Sequence, residues 1–243
     1  MKIVLINGSL KGEKSHSLMV AGKFIEGLKK AEPDAEVIRF DLGKMRIEHC
    51  TGCFCCWKVT PGQCAIHDDM DEIRKAWYEA DVLILAFPLY FFGVSSKMKT
   101  VLDRMLPFKL PYAGRLSTPE QPVILDNRYD FSEKKIVLIS SCAHASTDEV
   151  YDPIRKEFDL AWGPGSYETV FTPQGEILEL EQMKPILNVY LNKVVAAGEE
   201  LAVNRHLSEE TTKKVCAPLI PVRAVEKMMT GYWTAFPQGE EAK

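Results

Sequence analysis

The 243-residue chain lacks the features that would place it in a membrane, on nucleic acid or in a secretory route. No run approaches the roughly 18 apolar residues that a membrane-spanning helix needs. The opening apolar run, Met1 to Asn7, is too short for a secretory leader and gives way at once to a polar loop. Basic residues are not in excess: 30 Lys and Arg stand against 34 Asp and Glu, a net charge of −4, and they are scattered. That leaves no basic patch of the kind nucleic-acid binding depends on. Neither nucleic acid nor a membrane is an expected partner, and the expected location is the cytoplasm. Internal repeats and low-complexity tracts are also missing.

Two nucleotide signatures fail on count. A P-loop needs G-x-x-x-x-G-K-[ST], but starting from Gly8 the second glycine falls on Glu13. The G-x-G-x-x-G pattern of dinucleotide sites does not occur after the first apolar run either.

What is present is 46% hydrophobic and 26% charged residues, an ordinary globular composition able to build a sizeable core. Apolar runs alternate with helical patterns, which predicts parallel β–α–β units. Strands are expected at Lys2 to Asn7, Ala35 to Leu42, Asp81 to Phe87, Lys134 to Ser141 and Ser166 to Pro173. Helices are expected at Ser17 to Ala31, Asp68 to Ala80, Ser95 to Leu106, Asp148 to Trp162 and Leu180 to Val203. Residues 106–133, with prolines at 107, 111, 119 and 122, read as a surface insertion. The tail from His206 carries one short amphipathic piece with Met228, Met229, Tyr232 and Trp233, expected to dock on the body or on a second subunit. The organisation predicted is a body over 1–205, with a cysteine-rich loop at 49–66 and the 106–133 insertion, followed by an extension over 206–243.

Ligands of such sheets bind beyond the carboxyl ends of the strands, so three loops matter. After the first strand, Ser9, Ser15, His16 and Ser17 place hydroxyls at a helix N-terminus, where N–H groups and the helix dipole favour an anion. A terminal phosphate monoester suits that setting; simple capping of the helix by Ser15 or Ser17 is the other reading. After the third strand, Tyr90, Phe91 and Phe92 precede Gly93, suited either to flank a planar ring or to pack under the insertion. Lys97, Lys99, Asp103 and Arg104 are expected on a solvated, ion-paired helix face. Asp68 or Asp69 is expected to cap a helix.

Five of the seven cysteines fall between His49 and Cys64. Cys50, Cys53, Cys56 and Cys64 follow C-x2-C-x2-C-x7-C, with Cys55 extra. The first two spacings, with a fourth cysteine further along, match ferredoxin-style ligation of an iron–sulfur cluster. A four-cysteine zinc site usually comes as two separated C-x2-C knuckles, which fits less well. Thiol redox chemistry through Cys53, Cys55 and Cys56, or packing alone, stays open.

The ordered set "INGSLKGEKSHS", "CTGCFCCW…C…DDM" and "ADVLILAFPLYFFGVSSKMKTVLDR" resembles the NADPH-dependent FMN reductase and iron–sulfur flavoprotein branch of the flavodoxin-like superfamily, over roughly residues 1 to 105. The resemblance implies a flavodoxin-like α/β three-layer sandwich with a five-stranded parallel sheet in the order 2-1-3-4-5, and FMN at the switch point. It maps the FMN phosphate to Ser9, Ser15, His16 and Ser17, where members often carry Asn in place of His16. It maps the ring to Pro88, Leu89, Tyr90, Phe91, Phe92 and Gly93, with Ser140, Ser141, Cys142 and Ala143 as a further wall. It implies that Cys50, Cys53, Cys56 and Cys64 hold a 4Fe–4S cluster in the iron–sulfur members, and that no side-chain acid or base is required for catalysis. The function expected is an FMN-dependent NAD(P)H oxidoreductase delivering electrons to a small-molecule acceptor such as a flavin or quinone. The alternatives are an iron–sulfur flavoprotein that passes electrons between partner proteins, and a zinc-holding sensing module without flavin. A homodimer or homotetramer is expected.

Overall fold

Buried parallel strands read as continuous apolar runs because helices cover both faces. The computed structural model, which describes residues 1–111 and 126–235, has five strands at the five expected places. They are β1 (Lys2–Asn7), β2 (Glu36–Asp41), β3 (Val82–Pro88), β4 (Lys135–Ser141) and β5 (Tyr167–Thr172). All pair in parallel in the order β2-β1-β3-β4-β5. The chain reverses direction across the sheet between β1 and β3, the switch point expected from the sequence.

The helices are α1 (His16–Ala31), α2 (Cys55–Lys58), α3 (Met70–Glu79), α4 (Ser96–Asp103), α5 (Asp152–Trp162), α6 (Lys184–Asn204), α7 (Glu209–Cys216) and α8 (Val222–Ala235). On one face, Ile3, Leu5, Ile84 and Val137 pack with Phe24 and Leu28 of α1 and Val194 and Leu201 of α6. On the other, Val4, Ile6, Leu83 and Leu85 pack with Trp77 of α3, Met98 of α4 and Phe158 of α5. Burying each such side chain stabilises the fold by about 1.5–3 kcal/mol relative to exposure.

Two glycines let α1 and α6 meet backbone to backbone. A Cβ at Gly27 would lie 1.9 Å from the Val195 carbonyl oxygen, and one at Gly198 would lie 2.1 Å from the Phe24 carbonyl oxygen. No other residue fits at either position without moving a helix.

Three sequence expectations change. The helix α4 stops at Asp103, and Arg104 turns inward instead of joining a solvated face. The flanks of the insertion are structured rather than superficial: Pro107 and Phe108 are buried, Lys109 bridges to Asn127, and Phe108, Tyr129 and Phe131 form an aromatic group against the core. The rest of that insertion, 112–125, lies outside the described residues. The third change is α7, which the sequence reading passes over. Its N-cap Ser208 accepts from Thr211 N–H at 3.2 Å, and Val215 is buried. The Phe171 N–H on the open edge of β5 donates to Cys216 Sγ at 3.4 Å, so α7 covers an edge that would otherwise be unpaired. The tail thus docks on the body as far as Val225, which is buried. The side chains of Tyr232 and Trp233 and residues 236–243 lie outside the described residues.

Candidate functional site

The carboxyl end of β1 is built to hold a loop still. Asn7 is fully buried; its Nδ2 donates to Asp41 Oδ1 at 2.9 Å and its Oδ1 accepts from Ser9 N–H at 3.1 Å. Burial alone would raise the Asp41 carboxyl, but hydrogen bonds from Asn7 and Arg39 outweigh it and hold the group below its ordinary range. Gly8 has no room for a side chain: its Cβ would sit 2.9 Å from Ser95 Oγ, which already donates to the Gly8 carbonyl at 2.7 Å. The loop then enters α1 through Ser15, whose Oγ accepts from Leu18 N–H at 3.2 Å and shares a 3.0 Å hydrogen bond with Ser17 Oγ. The capping reading therefore holds for Ser15, whose hydroxyl stands beside that of Ser17 at the helix N-terminus.

Beside this loop lies a cleft of about 310 Å³ between the ends of β1, β3, β4 and β5. Of the fourteen residues expected around the cofactor, ten line it: Ser9, Ser15, His16 and Ser17, then Pro88, Leu89 and Tyr90, then Ser141, Cys142 and Ala143. Ser140 does not. It is fully buried and its Oγ accepts from Tyr151 Oη at 3.1 Å, because successive strand residues face opposite sides of the sheet. Burial pushes the Tyr151 phenol far up, so it remains a donor. Burial likewise raises the Cys142 thiol.

Phe91, Phe92 and Gly93 do not line the cleft either, for a backbone reason. Tyr90 and Gly93 exchange hydrogen bonds of 3.0 and 2.9 Å around a two-residue turn, with φ of 48° at Phe91 and 61° at Phe92. Both central residues are left-handed, the geometry that ordinarily selects Asn-Gly. The turn lifts Phe91 into full exposure, while Phe92 sits half-exposed against His144 with ring centroids 5.6 Å apart. The rings rim the cleft without entering it.

Lys11 of the β1–α1 loop, and Gly175, Glu176 and Glu179 on a 3-10 turn (Gly175–Glu179) after β5, complete the lining and were not anticipated. His16 Nε2 and Glu179 Oε1 are 2.7 Å apart and join this turn to α1. Gly175 allows a close approach, since a Cβ there would meet the Cys142 carbonyl at 3.2 Å and His16 Nδ1 at 3.3 Å. Gln174, left-handed at φ 60° and buried, donates from Nε2 to the carbonyls of Ala145 and Ile220, both at 2.9 Å. Its Oε1 accepts from Ile220 N–H at 3.0 Å. A strand end followed by glycine was the available signal for this fourth loop.

The cysteine loop folds apart from the cleft. Gly52 (φ 67°) and Phe54 (φ 55°) reverse the chain before the single turn of α2, and Gly62 returns it, donating to the Cys56 carbonyl at 3.0 Å. Trp57 Nε1 anchors it through the carbonyls of Leu106 and Lys109, at 3.2 and 3.0 Å. Cys50, Cys53, Cys56 and Cys64 all line one chamber of about 20 Å³; Cys55 does not. The chamber admits a single water-sized probe, and among the described residues no three His, Cys, Asp or Glu side chains converge as ligands of one ion. The backbone N–H of Cys55 pulls the Cys53 thiol down, whereas burial and then the neighbouring sulfurs push Cys56 up.

Arg104 forms a wall of this chamber. Its side chain is fully buried and Asp68 faces it with 6% of its side chain exposed. Nη1 donates to Asp68 Oδ2 at 2.9 Å and the Glu48 carbonyl at 2.6 Å; Nη2 donates to Asp68 Oδ1 at 3.1 Å and the Ile66 carbonyl at 3.0 Å. Asp68 also accepts from Met70 N–H at 3.0 Å from one residue before the N-cap, whereas Asp69 at the N-cap makes no capping bond, so the expected side-chain cap is not formed. The Asp69 side chain instead takes the Arg46 N–H at 2.7 Å. Arg104 Nε is buried without a hydrogen-bond partner, and Cys64, which lines the same chamber, is among the groups that act on the Arg104 side chain.

Residues 1–149 match the family described as NADPH-dependent FMN reductase. An iron-sulfur flavoprotein of Archaeoglobus fulgidus is 39% identical over 110 residues, 44% of this chain and 47% of that protein. An FMN-dependent NADH:quinone oxidoreductase of Bordetella petrii is 29% identical over 111 residues, 43% of this chain and 53% of that protein. The chain spans about half the length of the curated relatives it matches. Among solved structures, an azoreductase from Bacillus anthracis superposes with a TM-score of 0.58 at 18% identity, covering 82% of this chain and 99% of that one. The superposition speaks for the flavodoxin-like sandwich, whose strand order the sheet has.

Proposed function

The chain belongs to the NADPH-dependent FMN reductase family, and from that premise we propose that it is an FMN-dependent NAD(P)H oxidoreductase acting on a small-molecule acceptor such as a flavin or quinone. The observation that carries the reading is the cleft in which three buried serines of the β1–α1 loop meet the strand-end walls of β3 and β4. These residues fit a flavin mononucleotide: hydroxyls at a helix N-terminus for a phosphate, an apolar stretch at Pro88 and Leu89 with Tyr90 for a planar ring. When bound, FMN supplies hydride acceptance from a nicotinamide and onward transfer of electrons singly or in pairs.

The protein's own contribution is positioning. Ser9 and one of the Ser15–Ser17 pair, the other's proton being spent in their shared hydrogen bond, would donate to the phosphate, with exposed Lys11 as the nearby cation. Asn7 and Ser95 keep the Gly8 backbone in place beneath them. The His16–Glu179 pair holds the loop after β5 against α1, and Tyr90 shields the ring edge from water. No side chain is assigned a proton to move. A dimer or tetramer goes with this reading, since Leu10, Tyr90, Phe91 and Phe92 leave an exposed apolar rim. The test is FMN titration followed by flavin fluorescence, then anaerobic addition of NADPH or NADH. Tight quenching and bleaching of the flavin absorbance are expected; unquenched fluorescence overturns the reading.

A second reading is favoured by a separate observation. Four cysteines line one chamber, and the buried Arg104 Nε beside them lacks a partner. Cys50, Cys53, Cys56 and Cys64 have the spacing that would hold an iron–sulfur cluster, and the chamber would have to open for three of them to converge on one ion. On this reading the chain carries electrons between proteins. Iron and acid-labile sulfide in anaerobically prepared protein, with flavin reduced by ferredoxin but not by NADPH, would favour the carrier; an iron-free protein removes it.

A further inference from the structure

Among the described residues only two buried side-chain polar atoms lack a hydrogen-bond partner, Arg104 Nε and Arg74 Nη1. The first faces the cysteine chamber. The second belongs to a residue that lines a different cavity, and none of that cavity's residues is shared with the strand-end cleft.

This outer cleft has a volume of about 350 Å³, within the range of small-molecule sites. Its apolar part is a cup of three rings. Tyr78 and Tyr129 meet edge to face with centroids 5.2 Å apart at 72°, and Phe108 meets Tyr129 at 5.5 Å and 89°. Tyr78 is half-exposed and leaves part of its ring uncovered. Arg74 lies at the base with 8% of its surface accessible, its Nη2 already donating to Asp71 Oδ1. The other Asp71 oxygen lies 3.0 Å from His67 Nδ1, and neither oxygen bonds to Nη1. Exposed Lys75 adds a second cation at the rim, and the cleft's charged side chains sum to one net positive charge with His67 neutral.

We propose that this cleft is a second ligand site, for a small planar aromatic carboxylate. Rings of the cup take the ligand's aromatic part through stacked and edge contacts. Arg74 Nη1, enclosed in this structure, receives one carboxylate oxygen once the guanidinium turns toward the cleft, satisfying a charged donor whose desolvation is otherwise uncompensated. A neutral aromatic ligand would fill the cup and leave Nη1 as it is. Cys64 lines both this cleft and the cysteine chamber, so a ligand here rests against the loop that holds the other cysteines. The assignment stands on the cleft alone and does not depend on flavin or a cluster.

The test uses the full chain saturated with FMN, titrated with 2-naphthoate and, separately, with 2-naphthamide, followed by ligand fluorescence and calorimetry. Saturable binding of naphthoate at one equivalent is expected, with naphthamide at least about tenfold weaker. Arg74→Gln is expected to lower naphthoate affinity by at least about tenfold and to erase the preference over the amide. Arg74→Lys keeps the charge and is expected to recover part of it. Tyr78→Ala is expected to weaken both ligands alike. The urea midpoint of each variant, measured with and without FMN, reports that it is folded, and FMN affinity should stay unchanged in every variant. Equal binding of acid and amide, an Arg74→Gln chain that binds naphthoate like the parent, or release of FMN as naphthoate binds would each overturn the proposal.

Discussion

Replacing Arg104 with methionine keeps much of the side chain's apolar bulk and removes its charge and every donor. The Asp68 carboxylate is then left almost fully enclosed, with only the N–H groups of Glu48 at 2.8 Å and Met70 at 3.0 Å. Breaking a buried ion pair by removing one partner costs about 3–5 kcal/mol, because the survivor's desolvation is no longer offset. In a domain of this size each kcal/mol moves the melting midpoint by roughly 2–4 °C, so a fall of about 6–20 °C is expected. Urea unfolding of Arg104→Met, Asp68→Asn and the double variant measures it directly. The double variant should lose about 1–3 kcal/mol less than the sum of the singles, since it leaves no unpaired charge. The same clasp sets a pH signature. Asp68 faces burial that would raise its carboxyl, but the bonds from Arg104, Glu48 and Met70 outweigh it and hold the group low. Its contribution is thus complete above the unfolded value near ~4 and is lost as pH falls through the lower folded value. The advantage of the parent over Asp68→Asn should shrink only below about pH 4. A loss under about 1 kcal/mol in Arg104→Met, or strictly additive singles, would refute the reasoning.

Other outcomes follow from the same geometry. Ser15→Ala removes a helix cap worth about 0.5–2 kcal/mol and, on the flavin reading, should weaken FMN binding measured by fluorescence quenching. Gly27→Ala or Gly198→Ala drives a methyl into a facing carbonyl and should destabilise the chain by about 2–3 kcal/mol in urea. Changing Phe91 and Phe92 to Asn and Gly relieves two left-handed bulky residues and should raise the melting midpoint, at an expected gain of about 1 kcal/mol or more. Burial pulls the Lys109 ammonium down to about 8, and the unfolded value lies near ~10.4, so the parent should gain on Lys109→Met as pH rises between these values. Paired urea melts at pH 8 and pH 10 check the sign.

The three central strands were legible because each is a run of apolar residues too continuous for an amphipathic surface element, as in Val82 to Phe87, whereas the edge strands β2 and β5 are more mixed. Most of the cleft was legible too, since strand order alone puts the ends of β1, β3 and β4 together. Ser140 was avoidable: the two-residue period of a strand forbids it from sharing a side with Ser141. The Tyr90–Gly93 turn was not, because no glycine or asparagine marks its left-handed positions. Arg104 read as solvated because local spacing on a helix carries charge pairs of its own, whereas its partner Asp68 lies 36 residues away. The helix α7 was missed because a single buried residue, Val215, leaves no periodic stripe to detect. Gly175, Glu176 and Glu179 come from a loop whose role depends on how close β5 brings it to α1.

Gln174 gives the tail a stake in ligand binding. The residue after it lines the cleft, while its amide grips Ile220, 46 positions downstream. On the flavin reading, a purification tag, a fusion junction or a protease nick near Ile220 therefore acts on cofactor retention, although it touches no cleft residue. Flavin content across a series of tail truncations becomes a gauge of how firmly that amide is clamped.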